Sequence, residues 1–285
     1  MLKFKKILCP VDFSETSTKA LQWAEYFAKR FESVITVLHT IEVPLTSDPY
    51  MYDTEAAQRK AEEKLMSLVA PFTVKNDFLV SFGDPSPNIR KIAEELDAGL
   101  IVMGTRGLKG FRHRFIGSTA EYMMRNANRP VVTISPVCGE PCTDRYRVLI
   151  PMTNSEKMPR ESDQLKMIVN KFNVQVTLMH VVSFSEAMYK VKSELLPFNT
   201  MTLETEVTRK NLVHLAELMF DNKKVYGSTV GFGDIVTEIL REANTGLYDF
   251  ILMGAHSEKS LVPFADSKGY NIICDSKIPV ITVRS

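Results

Sequence analysis

The chain has 285 residues, 45% of them hydrophobic and 24% charged, with a formal net charge of +1. That length fits two domains of ordinary size. The near-zero charge excludes a global attraction to nucleic acid or to a membrane surface, and no run reaches the ~18 apolar residues that a membrane span needs. The opening MLKFKKILCPVDFS turns quickly from basic residues to Pro and Asp. It lacks the apolar core and small-residue cleavage site of a secretory signal, which points to a cytoplasmic protein.

Taken in chain order, KILCPV reads as a strand buried on both faces. SETSTKALQWAEYFAKRF carries apolar residues at Ala20, Leu21, Ala24, Phe27, Ala28 and Phe31. That spacing predicts a helix, with Ser14 or Thr16 as its cap. SVITVLHTI predicts a second strand, DTEAAQRKAEEKLMSLVA a helix with an acidic start, and NDFLVSF a third strand. DPSPNIRKIAEEL predicts a helix with Ser86 as N-cap and Pro87 at its first position. GLIVMG, GSTAEYMMRNA and RPVVTIS follow as strand, helix and strand.

The pattern then repeats. KKILCPVDFSE answers to YRVLIPMTNSE, ITVLHTI to VTLMHVV, and VSFGDPSPNIRKIAEE to VGFGDIVTEILREAN. GLIVMGTRG answers to DFILMGAHS, and RPVVTIS to IPVITVR. Five segments in the same order indicate a tandem duplication. The spacing between partners lengthens after His39 and His180, which places extra residues of the second copy near Ser183–Thr202. Domains of 1–138 and 144–285 are expected, joined through the turn-rich SPVCGEPCTDR. Strands alternating with helices predict an α/β fold: two doubly wound, mainly parallel five-stranded sheets of Rossmann-like type. Cys9 and Cys274 stand among apolar residues and read as small buried hydrophobes. Cys138 and Cys142 are spaced more widely than C-x-x-C and have no second Cys/His pair nearby, so they read as linker, not as a zinc site.

GTRGLKGFRHRFIGSTAEYMMRNANRPVVTI gathers Gly104, Gly107, Gly110 and Gly117 between two apolar segments. In doubly wound sheets, ligands bind outside the carboxyl ends of the strands, where the strand order reverses. Glycines let backbone N–H groups approach an anion. Ser118 and Thr119 open a helix whose N-terminus favours phosphate, and Arg106 adds charge-assisted hydrogen bonds. On spacing alone a phosphate cradle and a glycine-rich surface loop stand level. The stretch is not a P-loop, and the first βα turn, PVDFSE, lacks the glycines of a dinucleotide fingerprint. His39 and His180 read as satisfied core or strand-end histidines, not catalytic ones.

Gly104-x-x-Gly107, nine residues and then Gly117-Ser118 resembles the ATP-binding signature of the universal stress protein family. KKILCPVDFSETSTKAL resembles that family's first strand and helix, and GLIVMGTRG and NRPVVTI its fourth and fifth strands. The resemblance covers nearly the whole chain as two copies, and it implies the adenine nucleotide alpha hydrolase-like fold. It implies that ATP, or AMP or ADP, meets Pro10, Val11, Asp12, Thr40, Met103, Gly104, Arg106, Gly107, Gly117, Ser118 and Thr119. Asp12 would contact ribose or a phosphate-bound Mg²⁺. In the second copy Gly254 remains, but Ser257, Asp266, Ser267 and Thr153 stand for Gly107, Gly117, Ser118 and Asp12. That copy is expected to keep the fold and lose the nucleotide.

Three function classes follow: a nucleotide-binding stress or regulatory protein whose bound state alters a protein partner, a slow ATP-hydrolysing enzyme, and a nucleotide-free scaffold. The first fits best. No clear water-orienting residue supports fast hydrolysis, and a scaffold needs no such signature. The family's dimers through last strands imply that PVVTIS and PVITVR pair within one chain as a pseudo-dimer, with a homodimer of whole chains also allowed.

Overall fold

A computed structural model describes residues 4–43, 53–106, 116–141, 147–153, 155–183, 199–254 and 268–284. The chain divides into two compact units, Met1–Pro141 and Cys142–Ser285. The first runs β1 (Lys6–Pro10), α1 (Glu15–Phe31), β2 (Val34–Ile41), α2 (Thr54–Val69), β3 (Asn76–Phe82), α3 (Pro85–Glu95), β4 (Leu100–Gly104), α4 (Ser118–Asn126) and β5 (Val131–Ile134). Its strands lie in the order β3-β2-β1-β4-β5, all parallel.

The sheet forms because its central strands have no polar face to expose. Ile7, Leu8, Cys9, Ile35, Val37, Leu38, Leu100, Ile101 and Val102 are all fully buried. Such runs need helices on both sides. α1 supplies one cover through Ala20, Leu21, Ala24 and Phe27, all buried. Phe27 and Phe31 stack with ring centroids 6.2 Å apart, and Phe31 stacks on Phe4 at 5.3 Å. Truncating Phe27 to Ala at such a site costs about 3–5 kcal/mol.

The caps follow local chemistry. Ser14 caps α1, its side chain accepting from Ser17 N–H. Asp53 caps α2 in the same way, accepting from Ala56 N–H. For α3 the expected cap is corrected. Asp84, not Ser86, is the N-cap, and Pro85, not Pro87, stands at the first helical position. Gly83, at φ +118°, turns the chain early. The Asp84 carboxylate, a stronger acceptor than the serine hydroxyl, then takes Ser86 N–H at 3.0 Å.

The second unit runs β6 (Arg147–Met152), α5 (Ser162–Phe172), β7 (Gln175–Val182), α6 (Asn199–Met219), a 3₁₀ turn (Asn222–Lys224), β8 (Val225–Phe232), α7 (Ile235–Ala243), β9 (Phe250–Gly254), α8 (Lys268–Asp275) and β10 (Val280–Val283). Its strands lie β8-β7-β6-β9-β10, again all parallel. Both units are α/β folds with the same strand arrangement. Among the described residues, no helix is long and apolar enough to cross a membrane.

Candidate functional site

In the first unit β1 is flanked by β2 on one side and β4 on the other. The chain leaves β1 towards β2 and later returns to β4, so the strand order reverses between β1 and β4. In such sheets a crevice beyond the carboxyl ends of the two strands is the usual ligand position. Pro10 ends β1, and Gly104 ends β4.

Beyond β1 the chain makes a tight turn. Asp12 Oδ1 accepts from Ser14 N–H at 3.1 Å and from Ser14 Oγ–H at 2.6 Å. Between them Phe13 takes φ 65°, a left-handed conformation unusual for a bulky side chain. The Asp12–Ser14 bonds hold it there. The Phe13 ring lies 4.5 Å from the His39 ring, and Lys64 Nζ sits over it at 5.1 Å. His39 Nδ1 lies 2.8 Å from the Val11 carbonyl. A carbonyl only accepts, so Nδ1 carries the proton and the histidine braces the turn. His180 repeats the brace on the Met152 carbonyl at 2.9 Å. Both histidines are therefore satisfied at the strand ends.

Beyond β4 lies the segment Gly104–Arg106. A Cβ on Gly104 would come within 3.0 Å of the Thr16 carbonyl carbon and oxygen and 3.1 Å of Ser17 nitrogen. Glycine is needed here for the close approach of α1, not for a positive φ. Ser14 Oγ also lies 3.4 Å from the Arg106 carbonyl. On the other side, Gly117 N–H donates to the Thr105 carbonyl at 2.7 Å, and Gly117 is the N-cap of α4. The ends of α1 and α4 are thus both tied to this three-residue segment.

Two features of the segment fit an anion. Gly117 has no side chain to cap α4, so the N–H groups opened by Ser118 and Thr119 keep their donor capacity. The Thr105 hydroxyl is buried without a hydrogen-bond partner among the described residues. A buried unpaired hydroxyl is costly, and a ligand oxygen would satisfy it. Met103, next to Gly104 in β4, is buried, 4% exposed. Thr40 Oγ1 pairs with Ser81 Oγ at 2.9 Å near the carboxyl ends of β2 and β3.

Of the expected site residues, Asp12, Gly104, Arg106 and Gly117 are linked through direct contacts, with Ser14 and Thr105 as the connecting residues. Val11 is held between β2 and the histidine brace, its N–H on the Leu38 carbonyl. Gly107 lies outside the described residues, as do Ser257, Asp266 and Ser267. Sequence reasoning gave Ser14 only a capping role and passed over Thr105. The Asp-x-Ser spacing was a signal for the first. The polar residue between two expected ligands was one for the second.

The first unit's described cysteines, Cys9 and Cys138, are both buried. Burial pushes Cys9 far above the ordinary thiol range and Cys138 up to about 12. No group of three or more His, Cys, Asp or Glu residues is placed to hold a metal among the described residues.

Residues 3–135 match the family model described as the universal stress protein family. Universal stress protein G of Shigella flexneri is 33% identical over 142 residues, covering 46% of this chain and 99% of that protein. A universal stress protein of Methanocaldococcus jannaschii is 30% identical over 139 residues, 46% of this chain and 82% of its own length. Each relative thus spans about half of the present chain. Among solved structures, a universal stress protein from Archaeoglobus fulgidus matches 99% of this chain and 98% of its own, with 23% identity and a TM-score of 0.65. That likeness concerns the fold.

Proposed function

The chain belongs to the universal stress protein family, and from that premise we propose that its first unit binds one adenine nucleotide, and that the bound state changes how this cytoplasmic protein meets a protein partner. The observation that carries the reading is the segment Gly104–Arg106. It ties the starts of two helices to the crevice and leaves a buried Thr105 hydroxyl and an uncapped α4 N-terminus facing a need for acceptors. Phosphates supply such acceptors and carry the charge that helix N-termini favour.

The residues divide the work. Ser118 and Thr119 N–H groups, with Thr105 Oγ–H, receive phosphate oxygens, and Arg106 adds a guanidinium. Asp12 holds the ribose hydroxyls or a phosphate-bound Mg²⁺. Its carboxylate already fixes the turn through Ser14, so it meets the ligand pre-oriented. Met103 and Thr40 face the base end. A nucleotide bound here touches both helix starts, which is how occupancy reaches the surface. Titration with Mg-ATP should give a stoichiometry near one per chain, and mass spectrometry of gently purified protein should find adenine nucleotide. Two equivalent sites, or none, would overturn the reading.

A further inference from the structure

Gly254 ends β9 as Gly104 ends β4. What presses on the two glycines differs. A Cβ on Gly104 would meet helix backbone, that of Thr16 and Ser17. A Cβ on Gly254 would meet a carboxylate, with Glu161 Oε2 at 2.7 Å, Cδ at 2.8 Å and Cγ at 3.1 Å. Glu161 is 1% exposed, a burial that glutamates almost never reach unless paired.

The cause lies in the helix. α1 starts at Glu15, soon after β1 ends at Pro10. α5 starts only at Ser162, although β6 ends at Met152. In the repeat, Pro159 stands where α1 has Thr18, and proline is refused in a helix interior. The chain instead makes a turn, with Ser162 N–H on the Pro159 carbonyl at 3.1 Å. The early turns of helix are missing, and the side chain of the N-cap residue Glu161 folds into the space they leave.

We propose that Glu161 is the residue that closes the second unit's strand-end crevice to phosphate-bearing ligands. The inference rests on the nucleotide reading of the first unit's crevice. There, the end of β4 meets the uncharged backbone of the first turn of α1. At the end of β9 stands a carboxylate, which when ionised presents only acceptors. A phosphate also presents acceptors and negative charge, so the two cannot hydrogen-bond and repel each other. The carboxylate takes the place beside Gly254 that α1 backbone takes beside Gly104. The sequence differences at Thr153 and beyond β9 remove ligands, whereas Glu161 sets a carboxylate where the first unit has uncharged backbone.

Hydrogen exchange read by mass spectrometry on the full chain tests this, with inorganic triphosphate as probe. Glu161→Gln keeps the volume, removes the charge and supplies an amide donor, and Glu161→Ala removes the whole carboxylate. In peptides covering Phe250–Gly254 and Ser162–Phe172, triphosphate should leave wild-type exchange unchanged. It should slow exchange in both variants, by about tenfold where the probe stands at ten times its Kd. Slowing in the wild type, or none in a folded Glu161→Gln protein, overturns the proposal. Should Glu161→Ala unfold, the isosteric Gln variant still decides. Peptides across Leu100–Gly104, followed with Mg-ATP in the same runs, report separately on the first unit, so loss of that reading is distinguishable from loss of this one.

Discussion

Gly104→Ala tests whether the end of β4 is held against α1 as tightly as the geometry requires. The added Cβ would sit 3.0 Å from the Thr16 carbonyl carbon and oxygen and 3.1 Å from Ser17 nitrogen. All three are backbone atoms in the first turn of a helix, so no side chain can swing aside. Overpacking of this kind costs about 1–3 kcal/mol. Against it stands the reduced freedom of Ala in the unfolded chain, which favours the variant by roughly 0.4–1 kcal/mol. Gly104 is not at a positive φ, so no backbone strain adds to the cost. The net loss is about 1–2 kcal/mol, or a fall in Tm of roughly 3–10 °C for a unit of this size. Scanning calorimetry of the full chain reads it, with the second unit's transition as internal reference. Nucleotide affinity should fall with stability, because the displaced helix end carries the Asp12–Ser14 turn. A variant that melts with the wild type and binds as well would refute the close contact and the route from α1 to the site.

Gly117→Val should abolish nucleotide binding in titration while leaving the Tm near wild type, because φ −65° and ψ 146° suit a branched residue and only the approach to α4 is blocked. Asp12→Ala should weaken binding with Mg²⁺ more than binding in chelator, and equal losses in the two would remove the metal from Asp12. Ser14→Ala deletes the cap on Ser17 N–H and frees Asp12, and should cost about 1 kcal/mol in urea unfolding. Burial is the main cause that raises the Cys138 thiol to about 12, whereas an unfolded thiol ionises near ~8.5. The stability this represents is whole below the unfolded value and is lost as pH rises towards the folded one, so Cys138→Ala should flatten the alkaline limb of a stability–pH curve.

Most of the fold was legible because its central strands are apolar on both faces and its helices carry one apolar stripe each. Leu8 or Val37 has only one place to go, and α1 shows its buried face in the spacing of Ala20, Ala24 and Phe27. The N-cap of α3 was missed by two residues because DPSP offers two acceptor–proline pairs of the same form. Choosing between them needs the positive φ of Gly83, and a glycine shows its permission in sequence but not its use. The same gap separates reading a glycine signature from knowing what each glycine does. Gly104 looked like an opening for a ligand, yet what it admits directly is the backbone of α1.

Glu161 escaped notice for a different reason. Periodicity assigns a glutamate to the solvent side, and nothing in its neighbours contradicts that. The information lay one step away, at Pro159. Set against Thr18 in the repeat, that proline forbids the early turns of the helix and leaves a void at the end of β9. A void beside a buried strand end must be filled, since unfilled space forfeits contacts on every side. The side chain that stands there is that of the new N-cap, Glu161, and it is acidic. Local helix chemistry thus decides the electrostatic sign of a crevice several residues away. Two units built on one strand order can differ in what they admit because one begins its first helix late.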